Sequence, residues 1–294
     1  MLSILIPTYN SACAELVAEL ERQATKSGID FEIVVAEDGS TNAETIAANA
    51  AICQKSPNYR HIVRKVNVGR AAIRNFLAVK ARYDTLLYID SGNQIQFNNF
   101  IAQYIKVIDT AAVIYGGFRL AQAQTYSLRY RYEQKYLLSH PAEVRNRQPY
   151  AAFHTNNLLI NRQIVIEHPF DETLTTYGYE DALFGLALQQ NDIAVVHIDN
   201  PVTYTIHDTN QQFVAKTEEA LRTLYTINQR TTAPQLQTPL TRYATRLKTL
   251  HLYPLIRLKY RIIYRQLRNF LIHRHVSITL YNAYRLLFYI SIDK

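Results

Sequence analysis

The chain has 294 residues, 48% of them hydrophobic, with 32 Lys and Arg against 24 Asp and Glu, a formal net charge of +8. That length suits one large α/β domain with an appendage, and no run approaches the roughly 18 apolar residues of a membrane-spanning helix. The two cysteines, Cys13 and Cys53, stand far apart and in no metal-ligand spacing, as suits a reducing compartment.

Charge is spread unevenly. The first 220 residues hold 19 basic against 23 acidic side chains, a net −4, whereas residues 221–294 hold 13 basic side chains and one acid, Asp293, a net +12. Such asymmetry predicts a separate tail that meets something anionic, and leaves the chemistry of the front part open. The first strand begins directly after Met1, with no basic segment or cleavage site ahead of it. A protein in the cytoplasm, or peripheral on the cytoplasmic face of the membrane, is therefore expected.

Taken in order, Leu2-Ser3-Ile4-Leu5-Ile6 reads as a short buried strand ended by Pro7, Thr8, Tyr9 and Asn10. A helix is predicted over residues 12–26, with Leu16, Val17 and Leu20 on its inner face. A second strand over 31–36 runs out on Glu37-Asp38-Gly39-Ser40-Thr41, leads into a helix near 44–51, and is followed by a weak strand at 61–63. Asn67-Val68-Gly69 turns the chain into a helix over 70–81, whose first turns carry Arg70 and Arg74 on one face because they are four apart. Two guanidiniums beside a helix N-terminus can cradle a diphosphate, and arginines on an ordinary helix surface look the same. The next strand, 84–90, stops on Asp90-Ser91-Gly92, which sets an isolated carboxylate where open α/β sheets bind ligands. Asp90 can hold a divalent cation against a phosphate or close a turn before Gly92.

Past residue 93 the pattern loosens to a helix over 97–108 and a strand over 112–115 closed by Gly116-Gly117. A segment over 129–150, rich in Arg, Lys and Tyr without a continuous apolar stripe, reads as a helix with a mobile loop covering a site. A strand over 153–160 carries Thr155, Asn156 and Asn157, which either face a ligand or mark an edge. Glu180-Asp181 lead into an apolar helix over 182–189, and two strands over 193–198 and 202–206 end on His207-Asp208. The alternation of strands and helices predicts an α/β fold, a mostly parallel sheet with its loops gathered at one edge.

Five segments, residues 2–10, 36–41, 67–75, 87–92 and 178–185, together resemble family 2 glycosyltransferases of the GT-A fold, over roughly residues 1–215. Gly178-Tyr179-Glu180-Asp181 with Gly185 is also similar to an element of galactosyltransferase-like C-terminal regions. The resemblance implies a Rossmann-like central sheet flanked by helices, and a bacterial surface-glycan enzyme. Its reaction would be inverting, metal-dependent transfer of a hexose from a nucleotide sugar, UDP-linked, to a hydroxyl of a growing glycan, lipid-linked or not. By the same resemblance Pro7, Thr8 and Tyr9 line the base or ribose pocket, and Asp38, with Glu37 beside it, accepts from the nucleobase. Asn67, Arg70, Arg74, Asp90 and Ser91 complete the nucleotide-sugar site, Asn156, Asn157 and Glu180 hold the acceptor, and Asp181 is the general base. On the residues alone Asp38 also suits an N-cap of the following helix. Glu180 and Asp181 also suit the dipole of a helix start, typically worth about 0.3–1 kcal/mol.

Members of the family usually carry Asp-x-Asp where this chain has Asp90-Ser91-Gly92. Loss of the second acid should weaken metal binding, since hard cations gain affinity with ligand charge. His207 stands where related enzymes place a metal-binding histidine, and imidazole with carboxylate favours Mn²⁺ over Mg²⁺. The expected metal ligands are Asp90 and His207; a lone histidine is also commonly structural.

The basic tail is expected to start at residue 221. A helix over 254–272 puts Arg257, Arg261, Arg265 and Arg268 on one stripe, with Leu258, Ile262, Ile263 and Phe270 largely opposite. That pattern suits a helix lying on an anionic membrane surface, or one packed on the front domain with its arginines in water. Nucleic acid is not an expected partner, because the front domain gives it no support. Two other functions fit parts of the chain. A sugar-phosphate nucleotidyltransferase would carry a Gly-rich signature after the first strand, and residues 7–12 contain no glycine. A catalytically inactive, membrane-associated scaffold accords with the missing second acid and conflicts with Glu180-Asp181.

Overall fold

Aliphatic runs and amphipathic helices alternate through the first half of the chain much as its sequence predicts. The computed structural model describes residues 1–121, 127–151, 153–230, 235–274 and 277–293. In chain order the elements are β1 (Leu2–Thr8), α1 (Ala14–Lys26), β2 (Phe31–Asp38), α2 (Ala43–Cys53), β3 (Tyr59–Arg64), α3 (Arg70–Lys80), β4 (Thr85–Ile89), β5 (Asn93–Gln94), α4 (Phe100–Val107), β6 (Val113–Tyr115) and β7 (Phe118–Leu120). There follow α5 (Leu128–Ser139), α6 (Ala142–Arg145), β8 (Asn157–Asn161), α7 (Arg162–Glu167), α8 (Glu180–Gln190), β9 (Val195–His197) and β10 (Val202–Tyr204). Helices α9 (Asn210–Asn228), α10 (Pro239–Thr249), α11 (Tyr253–His273) and α12 (Ile278–Ile292) complete the chain.

These elements form two units. The first comprises Met1–Ala121, Ser139–Thr175 and Glu180–Thr205; the second comprises Gln122–Leu138, Thr176–Tyr179 and Ile206–Lys294. A seven-stranded sheet of order β3-β2-β1-β4-β8-β6-β9 organises the first unit. Its neighbours pair in parallel except at β8, which runs antiparallel to both β4 and β6. Strands of a parallel sheet are covered on both faces, and alternate side chains of β1 and β2 divide between two apolar layers. Ile4, Ile6, Ile33 and Val35 pack with Leu16, Val17 and Leu20 of α1. Leu5 and Val34 pack with Ile73 and Leu77 of α3 and with Phe184 and Leu188 of α8. A small second sheet, β5-β10-β7, lies beyond the end of β4.

Two expectations change here. The strand foreseen over 153–160 begins only at Asn157, so His154, Thr155 and Asn156 lie in the loop ahead of β8. The segment foreseen as a helix with a covering loop holds two helices, α5 and α6. Its Arg145 is buried, with Nε on the His197 ring and Nη2 on the Ile198 carbonyl, which is structural use of a charge that reads as surface in sequence.

In the second unit α9, α11 and α12 pack together, with α10 against α12. Helix α9 runs unbroken across residue 220 and opens with a reciprocal cap between Thr209 and Gln212. Tyrosines supply much of the interior: Tyr253, Tyr260, Tyr281 and Tyr284 are buried. Buried hydroxyls need partners. Tyr281 shares a 2.6 Å hydrogen bond with Thr217, and Tyr284 donates to Glu218 of α9, which also accepts from Arg268 at 2.8 Å. Among the described residues no helix is long and apolar enough to cross a membrane.

Candidate active site

Strand order reverses on either side of β1, because β2 lies to one side and β4 to the other. Ligand crevices of open α/β sheets form at the carboxyl ends of strands at such a point. Thr8, Asp38 and Asp90 stand at or just beyond the ends of β1, β2 and β4. Asn10, with a left-handed φ of 51°, ties the first two loops together: its Oδ1 accepts from the N–H groups of Thr41 and Asn42 at 2.7 and 2.8 Å. Thr8 is buried and donates to the Ser11 carbonyl, Pro7 is half-buried, and the Tyr9 ring is exposed at the edge. Gly39 has φ +70°, and a Cβ there would come within 2.2 Å of the Asn67 nitrogen, so only glycine lets the two loops meet.

Adjacent side chains on β2 part to opposite faces. Glu37 is fully buried and accepts from Ser40 Oγ at 2.5 Å and Asn49 Nδ2 at 2.8 Å, with His61 Nε2 at 3.3 Å. Asp38 accepts from the Val68 and Gly69 N–H groups at 3.1 and 3.0 Å, binding β2 to the turn that starts α3. Burial pushes the Asp38 carboxyl up in spite of these two donors. The N-cap of α2 is Asn42, which accepts from Thr45 N–H, so Asp38 does not have the capping role that its position in sequence suggests. Asn67 is exposed, and its Oδ1 accepts from Gly69 N–H at 3.1 Å.

Arg70 and Arg74 share a helix face but not an environment. Arg70 is exposed, with Nη1 3.4 Å from Glu180 Oε1. Arg74, one turn further along α3, is buried, and its Nη2 donates to Asp90 Oδ1 at 2.8 Å. Its Nε is a buried donor without a hydrogen-bond partner among the described residues. Asp90 is half-buried; its backbone oxygen accepts from Asn93 N–H at 3.0 Å, so it closes a turn as well as presenting a carboxylate. Ser91, half-buried, lies within that turn.

Across the sheet edge, α8 starts on Glu180, nearly buried, and Asp181. Asp181 accepts from Thr155 Oγ1 at 2.5 Å, and His154 Nδ1 stands 3.7 Å from its other oxygen. Burial pushes the Asp181 carboxyl up, but the His154 ring, the Arg74 guanidinium and the Thr155 hydroxyl hold it well below the usual carboxylate range. Gly185, one turn further on, lets the chain approach Tyr150: a Cβ would lie 2.9 Å from that carbonyl. His154 is the residue that sequence reading missed; Thr155 stands in the polar stretch expected to face a ligand or mark an edge, without a link to Asp181. They lie 27 and 26 positions before Asp181. The Asn156 carbonyl accepts from Asp90 N–H and Asn93 Nδ2, whereas Asn157 is fully buried. The Asn157 amide donates to the Gly117 and Asn200 carbonyls and accepts from Tyr104.

The expected metal pair divides between the units: Asp90 lies in the first, and His207, exposed, in the second. No group of three or more His, Cys, Asp and Glu side chains gathers among the described residues. The donor set is one half-buried carboxylate, already ion-paired through Oδ1. It fits a hard cation shared with phosphate oxygens rather than a cation caged by protein.

A mostly parallel seven-stranded sheet flanked by helices, with its switch point at β1, is the GT-A, Rossmann-like class of α/β fold. The sequence model of Glycosyl transferase family 2 matches residues 3–169, more than half of the chain, and the chain belongs to that family. Among solved structures it is similar to the mannosyltransferase PcManGT from Pyrobaculum calidifontis in complex with GDP-Man and Mn²⁺, with a TM-score of 0.61 and 12% identity over 98% of this chain and 84% of that one. It is also similar to S. aureus TarS 1–349, with a TM-score of 0.54 and 17% identity over 97% of this chain and 89% of that one. Against the longer S. aureus TarS chain the TM-score is 0.51 at 17% identity, and the match covers 76% of this chain but only 39% of that one. Likenesses at these identities establish the fold. No curated protein matches the chain.

Proposed function

We propose that this protein is an inverting hexosyltransferase that moves a sugar from a UDP-linked donor to a hydroxyl of a growing bacterial surface glycan, lipid-linked or not. The observation that carries the reading is a pair of acids at the crevice of this family member: Asp90 just past β4, ion-paired to the buried Arg74, and Asp181 at the start of α8, bonded by Thr155 with His154 beside it. In this reading Asp90 stands beside the leaving group and Asp181 beside the nucleophile.

Asp181 takes the proton of the acceptor hydroxyl as its oxygen bonds to the anomeric carbon. The bond from that carbon to the diphosphate breaks, and its electron pair leaves on the nucleoside diphosphate. Arg70 and the N–H groups that open α3 bind the diphosphate. Pro7, Thr8, Tyr9 and Asn67 flank the nucleoside, and Asp38 accepts from its base through lone pairs left over from Val68 and Gly69. Glu180 and Asn156 hold the acceptor, while Glu37 and Asn157 brace the loops from inside. Asp90, with Ser91 beside it, would hold the divalent cation, Mn²⁺ in preference to Mg²⁺, and that cation supplies Lewis-acid stabilisation of the leaving diphosphate. His207, in the second unit, is the candidate second ligand from sequence, and its imidazole is the ground for the Mn²⁺ preference. The partner of the basic second unit is an anionic membrane on its cytoplasmic face.

A panel of nucleotide sugars with Mn²⁺ tests the reaction through donor hydrolysis and transfer. Turnover with one UDP-sugar is the expected result; neither binding nor turnover across the panel would favour the inactive scaffold.

Two variants probe the site more finely. A Cβ on Gly92 meets nothing within 4 Å, and its φ is not left-handed, so Gly92→Asp has room to restore a second acid. The Mn²⁺ concentration for half-maximal activity should fall by roughly tenfold, because added ligand charge tightens hard-cation sites. An unchanged metal titration counts against metal at Asp90. His154→Ala should lower kcat by roughly 10- to 100-fold with donor KM unchanged, since a misaimed base loses its attack geometry. His154→Asn, which keeps an N–H for Asp181, should recover most of that loss. Equal kcat in wild type and His154→Ala would show that the ring does not orient the base.

A further inference from the structure

Helix α11 has two unlike sides. Its inner side, Tyr253, Tyr260 and Leu271, is buried in the second unit. Two of the four arginines that form one stripe in sequence are drawn toward that interior as well. Arg268 is ion-paired to Glu218, and Arg257 donates to the Ile290 carbonyl at 3.1 Å. That leaves the apolar side facing out. Leu255, Leu258 and Ile262, spaced three and four apart and so on one side of the helix, are 51%, 60% and 67% exposed. Lys259, Arg261 and Arg265 flank this strip and are exposed too, and α11 contains no acid over its 21 residues. Buried Tyr253, Tyr260 and Leu271, with Arg268 paired to Glu218 of α9 and Arg257 to the Ile290 carbonyl of α12, hold α11 in this orientation.

We infer that this outward face of α11 docks in the interface of an anionic membrane, with Leu255, Leu258 and Ile262 entering the acyl boundary and Lys259, Arg261 and Arg265 meeting lipid phosphates. The inference rests on the reading of the second unit as membrane-facing, and it names the surface that makes the contact. Charge complementarity selects the occupant. A second copy of the chain would bring the same strip and the same cations face to face, setting like charges against each other. An anionic bilayer satisfies both, because interfacial helices bind through an apolar strip flanked by cations. Each cation near such a surface contributes about fivefold in partition, and each aliphatic side chain about tenfold.

The test is vesicle flotation of the full chain on liposomes of neutral lipid with or without a quarter of anionic phospholipid. Wild type should float with the anionic vesicles and release on raising salt. The triple variant Leu255→Glu, Leu258→Glu, Ile262→Glu should lose at least a hundredfold in partition, and Lys259→Ala with Arg261→Ala about 25-fold on anionic vesicles only. Leu138→Glu, at an exposed apolar position on α5, should float as wild type, and thermal melts should confirm that all variants fold. If wild type fails to float, the membrane reading itself falls. If wild type and the triple variant float alike, membrane binding stands and the assignment to α11 falls. If wild type is a dimer by light scattering that the triple variant splits, with flotation unchanged, the strip joins two copies instead.

Discussion

Asp181→Asn is expected to leave donor affinity within about twofold of wild type and to lower transfer by about 10²–10⁴-fold, the usual contribution of a general base. The substitution keeps the shape of the side chain and an oxygen that can accept from Thr155. It removes the negative charge beside His154 and, with it, the carboxylate proposed to take the acceptor proton. Because those neighbours hold the Asp181 carboxyl below the usual range, it stays ionised through mild acid. Its pairing therefore contributes stability above the unfolded carboxylate value, which is lost only as pH falls through the depressed folded value. Wild-type kcat should accordingly show no loss attributable to Asp181 between neutral pH and about pH 5. Calorimetric titration with donor and a single-turnover transfer assay would check the variant; turnover near the wild-type level would remove Asp181 from the mechanism.

The second large effect concerns Asp90 and Arg74. Asp90→Ala takes the ion-pair partner from a buried guanidinium whose Nε already lacks a hydrogen-bond partner among the described residues and whose Nη1 keeps the Arg70 carbonyl. An uncompensated buried charge typically costs about 3–5 kcal/mol, so urea unfolding of this variant should show a loss of that order, with donor binding lost as well. Arg74→Met should be milder for stability. Asp90 is half-buried and can recruit water, and the methionine fills much of the vacated volume. Joining the two substitutions should recover stability relative to Asp90→Ala alone, a coupling that a double-mutant cycle reads directly. Transfer should stay lost, because neither the cation-side carboxylate nor its support remains. If the double variant is less stable than Asp90→Ala, the pair is not the balance of charges described here.

How much of this was legible beforehand varies by residue. The ends of β1, β2 and β4 were readable because an apolar run that stops on Thr8, Asp38 or Asp90 is a local pattern. Asp38 and Glu37 looked alike in sequence, yet alternation on β2 sends Glu37 inward to Ser40, Asn49 and His61 and Asp38 toward Val68 and Gly69. Arg70 and Arg74 looked like a pair, but helix periodicity fixes only which side of a helix a residue occupies. How deep that side is buried depends on the sheet beneath it. His154 carried almost no signal, and Thr155 only that of a polar break, since what they meet is a residue on another element.

The tail shows the same division. Its basic character and the amphipathic pattern of α11 follow from residue order, because charge and helical spacing are properties of the chain itself. Which side of α11 faces out was decided by tertiary packing, which buries Tyr253, Tyr260 and Leu271 and pairs Arg268 with Glu218 of α9 and Arg257 with the Ile290 carbonyl of α12. In the first unit, likewise, residue order determined that Asp90 follows a strand and Asp181 opens a helix. Only the folded chain paired buried Arg74 with Asp90 and brought Thr155 and His154 to Asp181, because such contacts join residues that no local spacing connects.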